Sequence, residues 1–326
     1  MDDYKIFCSY FIENKALFGG FPTQGQADIL MNMGVKYFVD LTFPSEVPKK
    51  YNINSDCLYI NYPIPDRSVP NNVTNFTSLL LGVSDALENL SESKKIYVHC
   101  KGGHGRSGIL VACLIYLHFQ NKSTRECLEL TNKAHNERTV MRDKWRKIGS
   151  PQTAQQKKYV HKLFSDLVFF RSFKNGSTSG FSNYSYHPVN SPGSKLLPKG
   201  IFPSSEALFQ ASKNISDESY IARQQQAKNP RVSKTIGSRI AVTNEWEKNR
   251  LEIMKEILTL KTSQHPEILC KLTRTGLRKI IYNNRLDDYF GLGPHGRGKN
   301  MYGKILMEIR DKRYREMSPE FTRADI

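Results

Sequence analysis

Apolar positions along the chain follow two regimes. Up to about residue 170, short apolar runs alternate with longer amphipathic stretches: 35–41 and 96–98 read as buried strands, 110–119 and 156–170 as helices. That alternation predicts an α/β domain, a central mostly parallel sheet flanked by helices. Beyond residue 180 helical spacing dominates. Pro203 precedes a predicted helix over 206–213, and Leu251, Met254 and Leu258 form the apolar stripe of a long helix starting near Asn244. The second half therefore reads as a helix-rich α+β domain. Three prolines among Ser and Gly make 184–200 a predicted surface loop. Periodicity lapses in RSFKNGSTSG, 171–180, so the expected division is a first domain over 1–170, a linker over 171–179 and a second domain over 180–326.

Composition supports this division. A chain of 326 residues is longer than one hydrophobic core usually serves. The longest apolar stretch, 109–119, is too short to cross a bilayer, and the acidic start MDDYKIFCSY lacks the basic-then-apolar pattern of a secretory leader. No membrane partner is expected, and the location expected is cytoplasmic, with the nucleus as the other possibility. The six cysteines are widely spaced, with no C-x-x-C pair, which predicts reduced thiols and no structural zinc. No cofactor is called for. Net charge is +17, from 21 basic against 15 acidic residues in 1–165 and 27 against 16 in 166–326. Such a surplus favours anionic partners, although a charge total alone is equally met by a solvated surface.

Candidate chemistry is densest at residues 96–108, IYVHCKGGHGRSG, where a strand runs into a glycine-rich turn and then an apolar helix. Glycines let the chain curl until successive N–H groups point inward at a helix N-terminus, the geometry that binds phosphate. Lys101, Gly102, Gly103, His104 and Gly105 form the substrate-binding turn, and Arg106 can fork two donors onto phosphate oxygens. Cys100 then lies in an electropositive nest that favours the thiolate, and Ser107 is placed to hydrogen-bond the sulfur as it leaves. His99, ending the strand, reads as a support for the loop.

The segment HCKGGHGRSG resembles the signature loop of protein tyrosine and dual-specificity phosphatases, and residues 15–168 are similar to the compact enzymes of that class. The resemblance implies Cys100 as nucleophile, Arg106 as phosphate ligand, and an aspartate from an upstream loop as acid and then base. Asp66, bracketed by Pro63, Pro65 and Pro70, is the candidate, with an ordinary turn as the other reading. SPQTAQQ resembles the segment that positions water in related phosphatases and nominates Gln152 and Gln156; a polar helix start accounts for it equally well. Dual specificity is the default for protein substrates, because the segments that deepen tyrosine-only pockets are not found.

In the second half, GFSNYS, FPSSEALFQASK, NEWEKNRLEIMKEILTLKTSQ and DDYFGLGPHGRGKNMYGKILMEIR stand in the order of the NADAR family, associated with NAD and ADP-ribose metabolism and including YbiA-like N-glycosidases. The resemblance spans about 178–313. It implies catalytic carboxylates at Glu206 and Asp287 and a ligand-contacting aromatic at Trp246, with a nucleotide or ADP-ribose-like ligand as partner. Glu206 also suits a helix N-terminus and Asp287 a turn. Three positions depart from the family: Ala207 for His, Tyr282 for Glu and Phe290 for Trp.

The first reading is thus a phosphatase of phosphoprotein monoesters fused to an N-glycosidase acting on ribosyl or ADP-ribosyl N-glycosides. Two others stay open. The NADAR-like half can serve as a non-catalytic nucleotide-binding module, and the phosphatase can act on RNA 5′ phosphates, since a basic chain also suits phosphorylated nucleic acid.

Overall fold

The computed structural model describes residues 3–46, 51–119, 121–165, 167–171 and 178–317. Most of the expected linker, 172–177, lies outside the described residues. The chain divides into two compact units: Met1–Asp166 with Tyr314–Ile326, and Leu167–Arg313.

In the first unit, strands β1 Cys8–Ile12 and β2 Ala16–Gly19 precede helix α1 Gln24–Asn32, β3 Val35–Asp40, β4 Leu58–Asn61 and α2 Val73–Asn89. Then come β5 Lys95–His99, α3 Arg106–His118, α4 Thr124–Asn136, α5 Asp143–Ile148 and α6 Ala154–Ser165. The sheet order is β1-β2-β5-β3-β4, antiparallel between β1 and β2 and parallel at the other three pairings. This is the expected α/β arrangement. Its consequence for function is topological: the C-terminal ends of parallel β3, β4 and β5 share one edge, so the loops after them gather there.

Local sequence explains the elements that carry this edge. In α1 and α4, Thr23 with Gln26 and Ser123 with Glu126 form reciprocal capping boxes that satisfy otherwise orphaned N–H groups. Helix α3 is buried at every position from Arg106 to Ile115, as a helix apolar all round must be. Each fully buried Leu or Ile there contributes about 1.5–3 kcal/mol, and truncating Leu110 to Ala would cost about 2–5 kcal/mol. That rigid helix anchors the loop before it.

The second unit contains β6 Leu167–Phe170, β7 Val189–Ser191, β8 Gly200–Phe202, α7 Ser205–Ala211, α8 Glu218–Gln225, α9 Pro230–Gly237, α10 Asn244–Gln264, α11 Pro266–Thr273, β9 Lys279–Tyr282 and α12 Met301–Met317, whose residues from Tyr314 group with the first unit. Helices predominate, as expected. One core gathers Phe181, Met254, Leu258, Ile268, Ile280 and Tyr302; another gathers Val189, Phe202, Ala207, Leu208 and Ile257.

Two local expectations are corrected. The helix expected over 156–170 ends at Ser165, and Leu167–Phe170 is a strand paired in parallel with β9. The loop expected over 184–200 contains β7, which pairs antiparallel with β8. In the first place pairing with a segment far along the chain decides the conformation, and in the second a short hairpin does; the periodicity of one short segment registers neither partner.

Candidate active sites

The first site lies on the gathered edge. Residues 100–105 run from β5 to α3, whose N-cap Gly105 makes no side-chain cap, so the N-terminal amides of a helix buried over its first ten residues remain available to an anion. Gly103 has φ +70°, and a Cβ there would stand 2.3 Å from the Gly19 carbonyl carbon, so only glycine fits. The Phe21 N–H donates to the Lys101 carbonyl at 3.1 Å, tying the loop to the end of β2. Cys100 is 2% exposed, with its sulfur 3.5 Å from the Ser107 hydroxyl.

Arg106 organises the site. Its Nη1 and Nη2 donate to the two carboxylate oxygens of Glu46 at 2.9 and 2.8 Å, and Nη1 also donates to the Ile64 carbonyl at 2.9 Å. Asp66 sits on the same guanidinium, Oδ1 3.1 Å from Nη2, with its side chain 65% exposed. The expected acid is thus brought to the expected phosphate ligand. Its loop is held from two sides, since Arg106 binds the Ile64 carbonyl and Gln156 Nε2 donates to the Ser68 carbonyl at 3.0 Å.

The remaining expected residues divide. Gln156 and Gln152 both reach the loop, for a Cβ on Gly105 would lie 2.9 Å from Gln156 Nε2 and 3.3 Å from Gln152 Oε1. Gln156 is buried and its amide is already shared between Ser68 and the Thr153 N–H. Lys101 is exposed. Gly102 gives room to the His104 ring, which a Cβ would approach at 2.9 Å. That ring stacks on Trp145 at 4.7 Å, and its Nδ1 lies 2.8 Å from Nε2 of buried His135. The imidazole of His104 is therefore taken up by the protein. Burial pushes His104 down to about 3 and His135 to about 4.

His99 is the support expected of it. Its Nε2 is 2.6 Å from the Tyr51 hydroxyl, and its Nδ1 lies 3.4 Å from Asp40 Oδ1 without a hydrogen bond between them. Burial outweighs the nearby carboxylate and pushes His99 down to about 4, so the ring is neutral near pH 7.

In the second unit, α7 opens with Ser204 accepting from the Ala207 N–H at 3.2 Å, and this cap places Glu206 in the first turn. Glu206 is 6% exposed and accepts from Gln210 Nε2 at 2.8 Å. Burial raises its carboxyl above the ordinary value, against the opposing pull of Lys234 and Lys213. The Lys213 ammonium donates to the Gly237 carbonyl at 3.0 Å and stands 5.6 Å from the Trp246 ring centroid. Burial lowers Lys213 while Glu206 holds it up. Trp246 donates to Ser212 at 3.0 Å and lines a cleft of about 320 Å³ with Lys195, Lys213, Asn214 and Asn249.

Glu206, Lys213 and Trp246 thus form one connected neighbourhood. The Asp287 carboxylate has a different engagement, accepting the Tyr289 and Phe290 N–H groups at 3.0 and 2.8 Å, the turn geometry that was its other reading. Tyr282, in place of an expected acid, stacks on Phe170 at 5.0 Å and feels the charges of both Glu206 and Asp287. Ala207 and Phe290 are buried in apolar surroundings. Among the described residues no His/Cys/Asp/Glu group could hold a metal, and no helix is long and apolar enough to cross a membrane.

Glu46, Tyr51, Asp40, His135 and Lys213 escaped the sequence reading. Glu46 gave no local signal. Only the topology, which sets the loop after β3 beside the loop after β5, brings it to Arg106.

A parallel-sheet edge presenting a glycine cradle, a cysteine and an arginine is the arrangement expected of a tyrosine or dual-specificity phosphatase domain, and comparison with known proteins finds that family. The family model described as the Swiss Army Knife protein, DSP-PTPase phosphatase domain, matches residues 15–160, and that of the NADAR domain matches 169–313. The putative tyrosine phosphatase 197R of Invertebrate iridescent virus 6 is 29% identical over 95% of this chain and 96% of its own. The putative tyrosine phosphatase 067L of Invertebrate iridescent virus 3 is 35% identical over 53% of this chain and 72% of its own. The N-glycosidase YbiA of Escherichia coli (strain K12) is 32% identical over 40% of this chain and 79% of its own. The chain is a hydrolase that belongs to the tyrosine and dual-specificity phosphatases through its first half and to the NADAR family through its second.

Proposed function

We propose that the first unit hydrolyses phosphate monoesters of proteins, on tyrosine, serine or threonine, through a phosphocysteine on Cys100. The observation that carries this reading is the Arg106–Glu46 pair. Two bonds to Glu46 occupy the end of the guanidinium and leave its Nε side for a phosphate seated over the uncapped amides of α3. Attack by the Cys100 sulfur transfers the phosphoryl group and releases the alcohol or phenol, which takes a proton from Asp66. Asp66 then removes a proton from the water that attacks phosphorus and frees Cys100. Ser107 stabilises the sulfur at both steps. Preorganised donors around the equatorial oxygens supply most of the acceleration.

In the second unit we infer an N-glycosidase acting on a ribosyl or ADP-ribosyl N-glycoside. A carboxyl whose hold on its proton is strengthened by burial is suited to give that proton to a departing base, which is the role of Glu206, while Lys213 and Trp246 suit an anionic, flat ligand. Asp287 is the weaker part of this assignment, because its carboxylate already serves a turn. Phosphate release from phosphopeptides against 5′-triphosphorylated RNA tests the first substrate class, and base release from ADP-ribosylated nucleosides tests the second. Turnover of RNA ends alone would replace the protein substrate, and ligand binding without base release would make the second unit a binding module.

A further inference from the structure

Arg138 lies just beyond α4 and is 3% exposed, with its guanidinium carbon 4.5 Å over the ring of Phe18 on β2. Its Nε and Nη2 have no hydrogen-bond partner, and among the described residues it makes no ion pair with a carboxylate. Its backbone is fixed, since its carbonyl accepts from Arg146 Nη2 at 2.6 Å. Two sets of contacts join the surroundings of this side chain to the phosphate loop. Three residues earlier, His135 meets His104 of that loop at 2.8 Å. The strand end that Arg138 covers is itself packed on the loop, through Phe21 to Lys101 and Gly19 to Gly103.

A buried cation without a counter-anion is costly, so the charges around it decide its purpose. Within electrostatic reach of it are Cys8 from β1, Tyr97 from β5, His104 and Cys100 from the loop, and His135 from α4; Arg106, with Glu46 and Asp66, lies at the loop's other end. Burial pushes the Cys8 thiol up to about 12 and Tyr97 well above its ordinary value, so both are neutral near pH 7. Both imidazoles are uncharged there as well. An arginine stays charged. Cys100, the nucleophile of the reading above, is then the group within reach that can supply the negative charge.

We propose that Arg138 is the counter-cation of the Cys100 thiolate, a positioning residue that acts on the nucleophile from behind the loop while Arg106 serves the substrate phosphate. This rests on the reading of Cys100 as nucleophile. The test is iodoacetamide alkylation of Cys100 in the full chain, followed peptide by peptide by mass spectrometry across pH, for wild type, Arg138→Met, Arg138→Gln and Arg138→Lys. In the two neutral variants the onset should move up by about one pH unit, so alkylation below the onset is about tenfold slower. Lys, which keeps the charge but holds it farther from the loop, should move the onset up by a smaller amount. An unchanged onset in a neutral variant that melts cooperatively overturns the proposal. If neither folds, Arg138→Lys decides: its shorter ammonium recedes from the loop, a partial upward shift supports the proposal, and an unchanged onset overturns it. Failure of the underlying reading looks different, because Cys100→Ser would then retain turnover whatever the alkylation profile of the Arg138 variants.

Discussion

Arg106 and Glu46, sixty positions apart, face each other through two parallel hydrogen bonds of 2.9 and 2.8 Å, and this fork fixes which edge of the guanidinium can meet a phosphate. If orientation is what Glu46 contributes, Glu46→Gln should retain one bond and lower kcat/KM modestly. Glu46→Ala should lower it by on the order of 10²-fold, the scale of a misplaced catalytic group. Steady-state kinetics on a phosphotyrosine peptide check this. Equal activity of both variants and wild type would show that the cradle orients Arg106 without Glu46.

Asp66→Asn separates an acid from a turn residue. With no proton donor, turnover of phosphoserine or alkyl phosphates should fall by about 10²–10⁴-fold, and that of an activated aryl phosphate much less. The alkaline limb of the pH profile should flatten as well. Equal losses on both substrate types with the limb unchanged would leave Asp66 as a turn residue only.

The buried imidazoles give the first unit a defined acid sensitivity. His99, His104 and His135 are pushed down from 6.5 to about 4, 3 and 4, so below pH 6.5 the unfolded chain binds protons that the folded one does not. The stability these three contribute is therefore fully present above 6.5 and lost progressively as pH falls through about 4 to about 3. Trp145 and Trp246 lie one in each unit, so a Trp246→Phe chain reports unfolding of the first unit by fluorescence. Its midpoint in urea should drop between pH 7 and pH 5, and His135→Asn should lessen the drop.

Glu206 has the opposite sign. Its folded-state value is raised by burial, so the stability it contributes is present at low pH and lost as pH rises above its ordinary 4.5 through the raised value. Glu206→Gln keeps the oxygen that accepts from Gln210. It should stabilise the second unit more at pH 7 than at pH 4, read from Trp246 in a Trp145→Phe chain, and lower base release by on the order of 10²–10⁴-fold. Base release unaffected by this change would remove Glu206 from the chemistry.

What the sequence disclosed follows from where each interaction lies along the chain. The loop from Cys100 to Ser107 was legible because strand, glycines and helix start are contiguous and each has a local cause. Asp66 was legible through its bracketing prolines. Glu46 and Tyr51 were not, because they reach Arg106 and His99 only through the parallel order of β3, β4 and β5. Residues 167–170, LVFF, fit the end of a helix and a strand equally well, and only pairing with Lys279–Tyr282 decides between them. The family acid missing at Tyr282 was visible in the sequence, but its replacement by an aromatic stack on Phe170 needed that same strand pair.

The central claim is that phosphate passes through the Cys100 sulfur, and trapping the intermediate tests it most directly. In Asp66→Asn, an activated aryl phosphate should still load the enzyme, while hydrolysis slows because the water has lost its base. Acid quenching within the first turnover followed by peptide mass spectrometry should then find a phosphoryl group on Cys100 and none in the Cys100→Ser chain, which should also be inactive. A Cys100→Ser chain that keeps appreciable turnover, or a phosphoryl group found on another residue, would contradict the account.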